Sequence, residues 1–450
     1  MIRAASTEIR GIDTRANLKE GNMRKGTSTK WFGLFAGLAL VALSLGAAAC
    51  SGDDDDKSSG GSTAAVKGFT DAGYKKAGFK TYTIEKDAPI KIGISSALSG
   101  DVKGLGLPIA DAAAVAGEGV TIKGHKIEFV REDDLCSPEG GPAAGDRLIK
   151  ANVVGVVGPI CSGGTRASLA AYDAAGLTHI SPSATAGDLT SPTRAEGPFV
   201  TFFRVPVLNA DEAREQANFA ADVLKAKKAF VVFDSDDYGK DLAAEFQTSF
   251  KAKGGTIVGQ PQSYEKKQCD FNAVVANIKA AKPDVIYQSG FYAEATCLLQ
   301  ALRKDSDTKG IAYIGGDGIK NDELLTGAKD AAEGAYLALP GTQGTEFANF
   351  AKKYATFTKG KESDAESATF GAEAYDAATA LIKAIEKVAK DDGGKLTIDG
   401  KALNDAVLKS DFAGASGQVK FLANGNRAGA VVRLFKVTGG KYVQLKTGEK

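Results

Sequence analysis

The chain has 450 residues, 43% of them apolar and 25% charged, with a formal net charge of +1. That length exceeds one typical domain and suits two lobes of ~150–200 residues, and the composition is globular rather than disordered. Beyond residue 50 the chain carries 49 basic and 52 acidic residues, a balance that argues against nucleic acid as the main partner. Its two histidines, His125 and His179, stand in no metal-ligand spacing, which argues against a zinc enzyme, and no metal or cofactor is expected.

The N-terminal 50 residues read as an export signal. Arg24, Lys25 and Lys30 precede an uncharged run of 19 residues from Trp31 to Ala49. A basic segment, an apolar segment and small residues at its end describe a secretory leader. The run is also long enough to span a bilayer, which is the alternative reading. Translation can start at Met1 or at Met23, which precedes the basic cluster. Ala47-Ala48-Ala49-Cys50 resembles a bacterial lipobox, which implies a lipid on the Cys50 thiol. Ala47 stands where leucine is usual in that motif. Both readings tether an extracytoplasmic protein to a membrane. Residues 51–63, SGDDDDKSSGGST, offer nothing to bury and read as a solvated tether; Asp53 to Asp56 lack the fixed geometry of a metal site.

Residues 64–88 form a lead-in of weak pattern, and the folded body is expected to start at Pro89. Strands are predicted at 90–94, 126–131 and 178–181, with an Ala-rich stretch over 109–116 and helices over 141–151 and 165–175; 153–157 is a buried apolar run. The second half repeats the alternation. It has helices over 211–224, 240–253, 271–281 and 294–304, and strands at 229–233, 256–258, 284–288 and 311–314. Gly254-Gly255 and Pro283 stop two of these helices. After an apolar run at 335–339, helices dominate from 345 to 409, the strongest over 367–389. Strands close the chain at 418–422, 430–437 and 441–445, with Gly439-Gly440 as a hairpin turn. Strands alternating with helices of this length mean βαβ units, and so parallel sheets in an α/β fold.

If Cys50 carries a lipid, Cys136, Cys161, Cys269 and Cys297 remain, an even number suited to two disulfides in an oxidising compartment. Three pairings are open. Pairing neighbours closes loops of 25 and 28 residues, each worth about 3–4 kcal/mol in the loop-entropy picture.

In open α/β sheets, ligands bind beyond the carboxyl ends of the strands. One such end runs Gly158-Pro159-Ile160-Cys161-Ser162-Gly163-Gly164-Thr165 into a helix. Backbone N–H groups at a helix start, with the Ser162 and Thr165 hydroxyls, suit a carboxylate; the alternative is a helix cap touching only its own backbone. Further ends carry Ser181-Pro182-Ser183-Ala184-Thr185, Ser289-Gly290-Phe291 and Gly315-Gly316-Asp317-Gly318, where Asp317 suits a cation or serves as a turn residue. Gly104-x-Gly106 fails the dinucleotide spacing, because Ile109 fills the third glycine's place. Asp234, Asp236 and Asp237 read as a loop and helix cap rather than a metal site. Gly414-Ala415-Ser416-Gly417 lacks the spacing of a hydrolase nucleophile elbow.

Taken in order, the segments IKIGISSALSG, REDDLCSP, VVGPICSGGT, HISPSATAGDLT, FFRV, DSDDYGKDLA, IYQSGFYAEA and YIGGDGI resemble the type I periplasmic binding proteins of branched-chain amino acid ABC importers, from about Pro89 to Tyr442. The resemblance implies a two-lobed α/β fold, each lobe a mostly parallel sheet flanked by helices, joined by a three-strand hinge. The N-lobe would span 89–205 and 341–426, the C-lobe 206–340 and 427–450, after a signal at 1–50 and a tether at 51–88. It implies a monomeric, lipid-anchored binder of an amino acid, with ABC permease subunits as partners and no catalysis. By the same resemblance Ser162 and Thr185 donate hydroxyls to the ligand carboxylate and Ser183 acts through its backbone. Asp317, one methylene shorter than the family's Glu, pairs with the ammonium, and Phe291 replaces an aromatic that is often Tyr. Phe370 falls over the side-chain pocket, and Leu105 replaces a frequent Tyr. The resemblance also pairs Cys136 with Cys161, and by extension Cys269 with Cys297. A sensor of the same fold, a binder of small amides or urea-like solutes, and last a secreted α/β hydrolase are the competing expectations.

Overall fold

The computed structural model describes residues 69, 71–191, 199–341, 343–429 and 431–450. The segment expected to be an export signal, Cys50 and the expected acidic tether lie outside the described residues. In chain order the strands of the first half are β1 (Thr81–Ile84), β2 (Ile90–Ser96), β3 (Thr121–Ile122), β4 (His125–Asp133), β5 (Val156–Val157), β6 (His179–Ser181) and β7 (Phe202–Arg204). Among them run α1 (Asp71–Lys76), α2 (Lys103–Val115), α3 (Gly140–Lys150) and α4 (Ser162–Ala174). There follow α5 (Asn209–Asn218), β8 (Lys228–Asp234), α6 (Asp237–Ala252), β9 (Thr256–Ile257), β10 (Gln262–Tyr264), α7 (Asn272–Ala281), β11 (Val285–Ser289), α8 (Tyr292–Lys304), β12 (Ala312–Gly315), α9 (Asp322–Ala328) and β13 (Tyr336–Pro340). The last part holds α10 (Phe347–Thr358), α11 (Asp364–Ser367), α12 (Gly371–Val388), β14 (Lys390–Asp392), β15 (Lys395–Asp399), α13 (Gly400–Leu408), β16 (Asp411–Gly414), β17 (Gly417–Lys420), β18 (Val432–Thr438) and β19 (Lys441–Gln444).

Two sheets organise two lobes. The first has the order β3-β4-β2-β5-β6-β7, parallel from β4 to β7. The second runs β10-β8-β11-β12-β13-β18-β19, with β9 also on β8; it is parallel up to β13 and antiparallel beyond. Parallel strands flanked by helices are covered on both faces, so they read as unbroken apolar runs. Accordingly β2 and β8 are almost wholly buried, and β11 entirely so. The chain passes between the sheets three times: after β7, after β13 and between β17 and β18.

Local chemistry explains the element ends. The Asp236 side chain accepts the Tyr238 N–H and starts α6; Asn321 does the same for Glu323 at α9, and Asp399 for Ala402 at α13. Lys282 takes the left-handed conformation that ends α7 just before Pro283. The predicted helix over 211–224 is α5 followed by a π-helical turn at Phe219–Val223. The apolar run 153–157 pairs as strand only at its last two residues.

Two expectations are corrected. Ordered structure precedes Pro89: β1 pairs antiparallel with β15, burying Tyr82 and Ile84. The helical stretch from 345 to 409 is interrupted by the β14–β15 hairpin, whose Gly393 and Gly394 have positive φ. The lead-in's weak pattern reflects a short edge strand whose partner lies some 315 residues later in sequence, at Asp399 to Leu396. No helix among the described residues is long and apolar enough to cross a membrane.

Candidate functional site

The carboxyl ends of the parallel strands in both sheets turn toward one cleft. On the first lobe, the turn after β5 leads through Gly158-Pro159, a cis peptide, into α4. Its carbonyls are held by neighbouring hydroxyls. Thr165 Oγ1 donates to Pro159 O at 3.0 Å, Ser181 Oγ to Pro159 O at 2.6 Å and Ser183 Oγ to Ile160 O at 2.6 Å. Thr165 is therefore structural rather than a donor to a ligand. Ser162 Oγ accepts the Ala186 N–H at 3.2 Å and keeps its own proton to donate. Thr185 is fully buried, and its hydroxyl has no partner.

Beneath this wall, disulfides join Cys136 to Cys161 and, in the second lobe, Cys269 to Cys297. The first closes a loop around Asp134, which accepts N–H groups from Cys136 (2.9 Å) and Ile160 (3.4 Å) and the Ser95 hydroxyl (3.1 Å). Burial raises the Asp134 carboxyl to about 6 despite those donors. Arg204, at the end of β7, is fully buried. Its guanidinium donates to Ala184 O (3.2 Å), Ala186 O (2.6 Å), Thr190 Oγ1 (2.6 Å) and Asn426 Oδ1 (2.7 Å), gripping the loop that carries Thr185.

On the second lobe, Gly290 has φ +132°, and a Cβ there would lie 2.0 Å from Tyr264 Oη, so only glycine fits before Phe291. After β12, Gly316 brings the backbone against Tyr238; a Cβ would meet Leu242 at 2.6 Å and Tyr238 Oη at 2.9 Å. This close approach delivers Asp317, which is 2% exposed. Its Oδ1 accepts the Tyr238 hydroxyl and the Gly318 N–H (2.7 Å), and its own N–H donates to Glu212 Oε1 at 3.0 Å. Asp317 Oδ2 and Glu212 Oε2 have no hydrogen-bond partner among the described residues. Burial raises both carboxyl groups above the ordinary range, Glu212 well above it, with the Asp317 charge adding to the shift on Glu212.

Between the walls lies a cavity with about 270 Å³ of atom-free space, of which about 20 Å³ takes the centre of a water molecule. It is lined by Leu105, Ser162, Ser183, Phe291, Asp317 and Phe370 from the sequence candidates, together with Ile160, Cys161, Tyr238 and Gly318. Thr185 stands behind the wall, outside the lining. A larger hollow, with about 1230 Å³ of atom-free space around Arg303 and Lys436, lies on the outer side of the second lobe, away from the strand ends that bind ligands in open α/β sheets.

The lobes meet around the cavity. Tyr292 Oη donates to Asp101 O at 2.8 Å and accepts the Gly104 N–H at 3.1 Å, and Asn321 Nδ2 donates to Gly104 O at 3.0 Å. Lys266 Nζ bonds Cys136 O at 2.9 Å, Arg166 pairs with Asp237 at 2.6 Å, and Asp241 accepts the Gly187 N–H at 3.1 Å.

Sequence reasoning missed Glu212, Tyr238 and Arg204 as members of the site. Tyr238 sits in the DSDDYG segment, read as loop and cap, where Asp236 does cap and Asp234 is buried. Glu212 lies in an acidic first helical turn, which ordinarily faces solvent. Ser416, the only serine in the nearest approach to a nucleophile elbow, bonds Asp376 and Arg427 in a buried network away from the cavity lining.

A sequence profile described as "Periplasmic binding protein" matches residues 89–441. The leucine-, isoleucine-, valine-, threonine- and alanine-binding protein of Pseudomonas aeruginosa is 28% identical over 355 residues, covering 78% of this chain and 90% of its own. A leucine-binding protein from Thermotoga maritima superposes with TM-score 0.70 at 23% identity, over 79% of this chain and 98% of that one. A branched-chain amino acid transporter substrate-binding protein from Streptococcus pneumoniae, solved with isoleucine, gives TM-score 0.69 at 25% identity, over 79% and 100%.

Proposed function

Because the chain belongs to the type I periplasmic binding protein family, in its branched-chain amino acid branch, we propose that it captures an amino acid with an aliphatic side chain between its lobes and hands it to an ABC permease. The observation that carries this reading is the cavity's lining: an apolar set (Leu105, Ile160, Phe291, Phe370) flanked by hydroxyls on one lobe and a buried carboxylate on the other. That arrangement suits a zwitterion. Ser162, and Thr185 after a small movement, donate to the α-carboxylate, and Asp317 receives the α-ammonium. The space between the walls, about 20 Å³ for the centre of a water molecule, holds about one water, so the walls must part to seat an amino acid. Opening about the crossing strands admits it, and closure follows its greater affinity for the closed state. The lobes in this reading comprise 89–205 with 341–426, and 206–340 with 427–450. Cys50 carries the lipid that holds the monomer on the outer face of the membrane.

The test is calorimetric titration of the soluble body, from Ser51 onward, with leucine, isoleucine and valine, beside amides and aromatic acids. Binding confined to the aliphatic amino acids supports the reading, and Asp317→Ala should weaken it at least tenfold without lowering the unliganded melting temperature. Binding of another solute alone, or unchanged affinity in the variant, refutes it.

A further inference from the structure

Asp317 does not stand alone in the cleft. Glu212, from α5, is 0% exposed and spends Oε1 on the Asp317 N–H at 3.0 Å, while its carboxyl lies within interaction reach of the Asp317 carboxyl. Neither Glu212 Oε2 nor Asp317 Oδ2 has a hydrogen-bond partner among the described residues. Two buried carboxylates facing each other cannot both ionise at low cost, and one proton between them satisfies both orphaned oxygens. The other groups packed around the pair supply no counter-charge that would replace that proton. From α6 comes the Tyr238 hydroxyl, already donated to Asp317 Oδ1, and from β11 the Tyr287 hydroxyl, which donates to Gln216 at 2.7 Å. Asp241, also on α6, is taken up by Asn209 (2.8 Å) and Gly187. The acidity of both tyrosines is suppressed by burial first and by the charges of this pair second.

The geometry points to Glu212 as a positioning residue that shares a proton with Asp317 and gives it up to solvent when a cationic ammonium seats on Asp317, so that ligand capture is proton-coupled. This rests on the proposed reading of the site. The direction follows from linkage. An ammonium beside the pair favours its fully ionised form, so the bound protein holds the proton less tightly than the free one. Affinity then rises with pH, by up to about tenfold per pH unit, until the free pair has itself lost the proton, and it is level above that. Glu212 also fixes the Asp317 backbone, and a glutamine in its place keeps both hydrogen bonds with no proton to lose.

The experiment is titration of the wild-type body with leucine between about pH 5 and about pH 8.5, repeated in buffers of different ionisation enthalpy. The expected result is an apparent binding enthalpy that varies with the buffer, reporting release of a fraction of a proton up to one, and affinity that climbs with pH. E212Q is expected to show neither the buffer dependence nor the slope. Leucine binding with no buffer dependence overturns the inference and leaves the proposed function standing. A slope that survives in E212Q overturns the assignment to Glu212. Failure of any amino acid to bind overturns both readings. The wild-type measurement decides even if the variant does not fold.

Discussion

Arg204 is the sharpest point at which stability and binding should fail together. Its side chain is 0% exposed and donates to four neutral acceptors rather than to a carboxylate. Burial pulls its guanidinium down to about 9, a measure of how poorly the pocket replaces water. Arg204→Met keeps most of the stem and removes the charged head. Ala184 O is then orphaned, at ~1–3 kcal/mol; Ala186 O keeps only the Leu189 N–H (3.4 Å) and Asn426 Oδ1 only the Thr190 hydroxyl (2.9 Å), each losing a bond to a charged donor at ~1.5–3 kcal/mol, while relief of the buried charge offsets part of the sum. We expect a net loss of ~2–4 kcal/mol. With an unfolding entropy of about 2.1 cal/mol/K per residue over ~380 folded residues, that lowers Tm by about 3–5 °C if both lobes melt together. Because Ala184 and Ala186 flank Thr185 and the Ala186 N–H donates to Ser162, leucine affinity should fall at least tenfold. Scanning calorimetry and titration of the same preparation read both quantities. A variant that melts lower yet binds leucine as the wild type does would show that the guanidinium braces the lobe without setting the site. Unchanged Tm would refute the ledger of lost hydrogen bonds altogether.

Two further outcomes follow from single residues. His179 is fully buried between Tyr172 and Phe202, its Nε2 unpartnered, and burial lowers its pKa to about 3. The unfolded chain takes up that proton near pH 6.5, so the stability present above 6.5 is lost as pH falls toward 3, by about 5 kcal/mol at most; denaturation midpoints should fall less between pH 7 and pH 4 in His179→Phe, and parallel curves would contradict the assignment. Tyr292→Phe deletes both cross-lobe bonds of that hydroxyl, to Asp101 O and from Gly104 N–H. At ~0.5–1.5 kcal/mol for each bond the closed state weakens by roughly 1–3 kcal/mol, so stopped-flow release of leucine should quicken about five- to 150-fold. Unaltered release would place the latch elsewhere.

What the sequence made legible follows from what its patterns encode. Parallel strands covered on both faces leave continuous apolar runs, and several end in small polar residues, so the βαβ order and the cleft-facing ends could be read together. Ser162, Ser183, Phe291 and Asp317 all sit at such ends and all line one cavity. β1 could not be read, because an edge strand of four residues takes its identity from β15, which lies far along the chain. Glu212 and Arg204 could not be read either. A charged side chain in a helix or at a strand end is ordinarily solvated, and only the tertiary structure shows that these two are enclosed. Thr165 shows the opposite failure: its position at a helix start promised a ligand donor, and the carbonyl of Pro159 takes its hydroxyl.

The hinge and the binding loop share one polar network, and this bears on how closure is sensed. Arg204 links the Thr185 loop to Asn426, on the third passage between the lobes, and Thr190 Oγ1 reaches the same Asn426 oxygen at 2.9 Å. One residue on, Arg427 donates to Ser416 O at 2.7 Å and to Val205 O at 3.4 Å, joining the third passage to the first. Ser416 in turn is fastened to Asp376 of α12, through its N–H at 2.8 Å and its hydroxyl at 2.6 Å. At the second passage Gly341 has φ +90°, with Glu373 of the same helix only 2.0 Å from where a Cβ would stand, and Arg433 of β18 donates to its carbonyl at 2.9 Å. Phe370, the residue immediately before α12, lines the cavity. All three crossing segments are thus tied to the helix that begins at the ligand pocket, or to the loop that holds Ser162 and Thr185. A change in the position of either wall is therefore transmitted to the backbone about which the lobes turn. In the proposed reading the lobes need no separate signal to close, because residues that line the cavity adjoin those that hold the crossing strands in place.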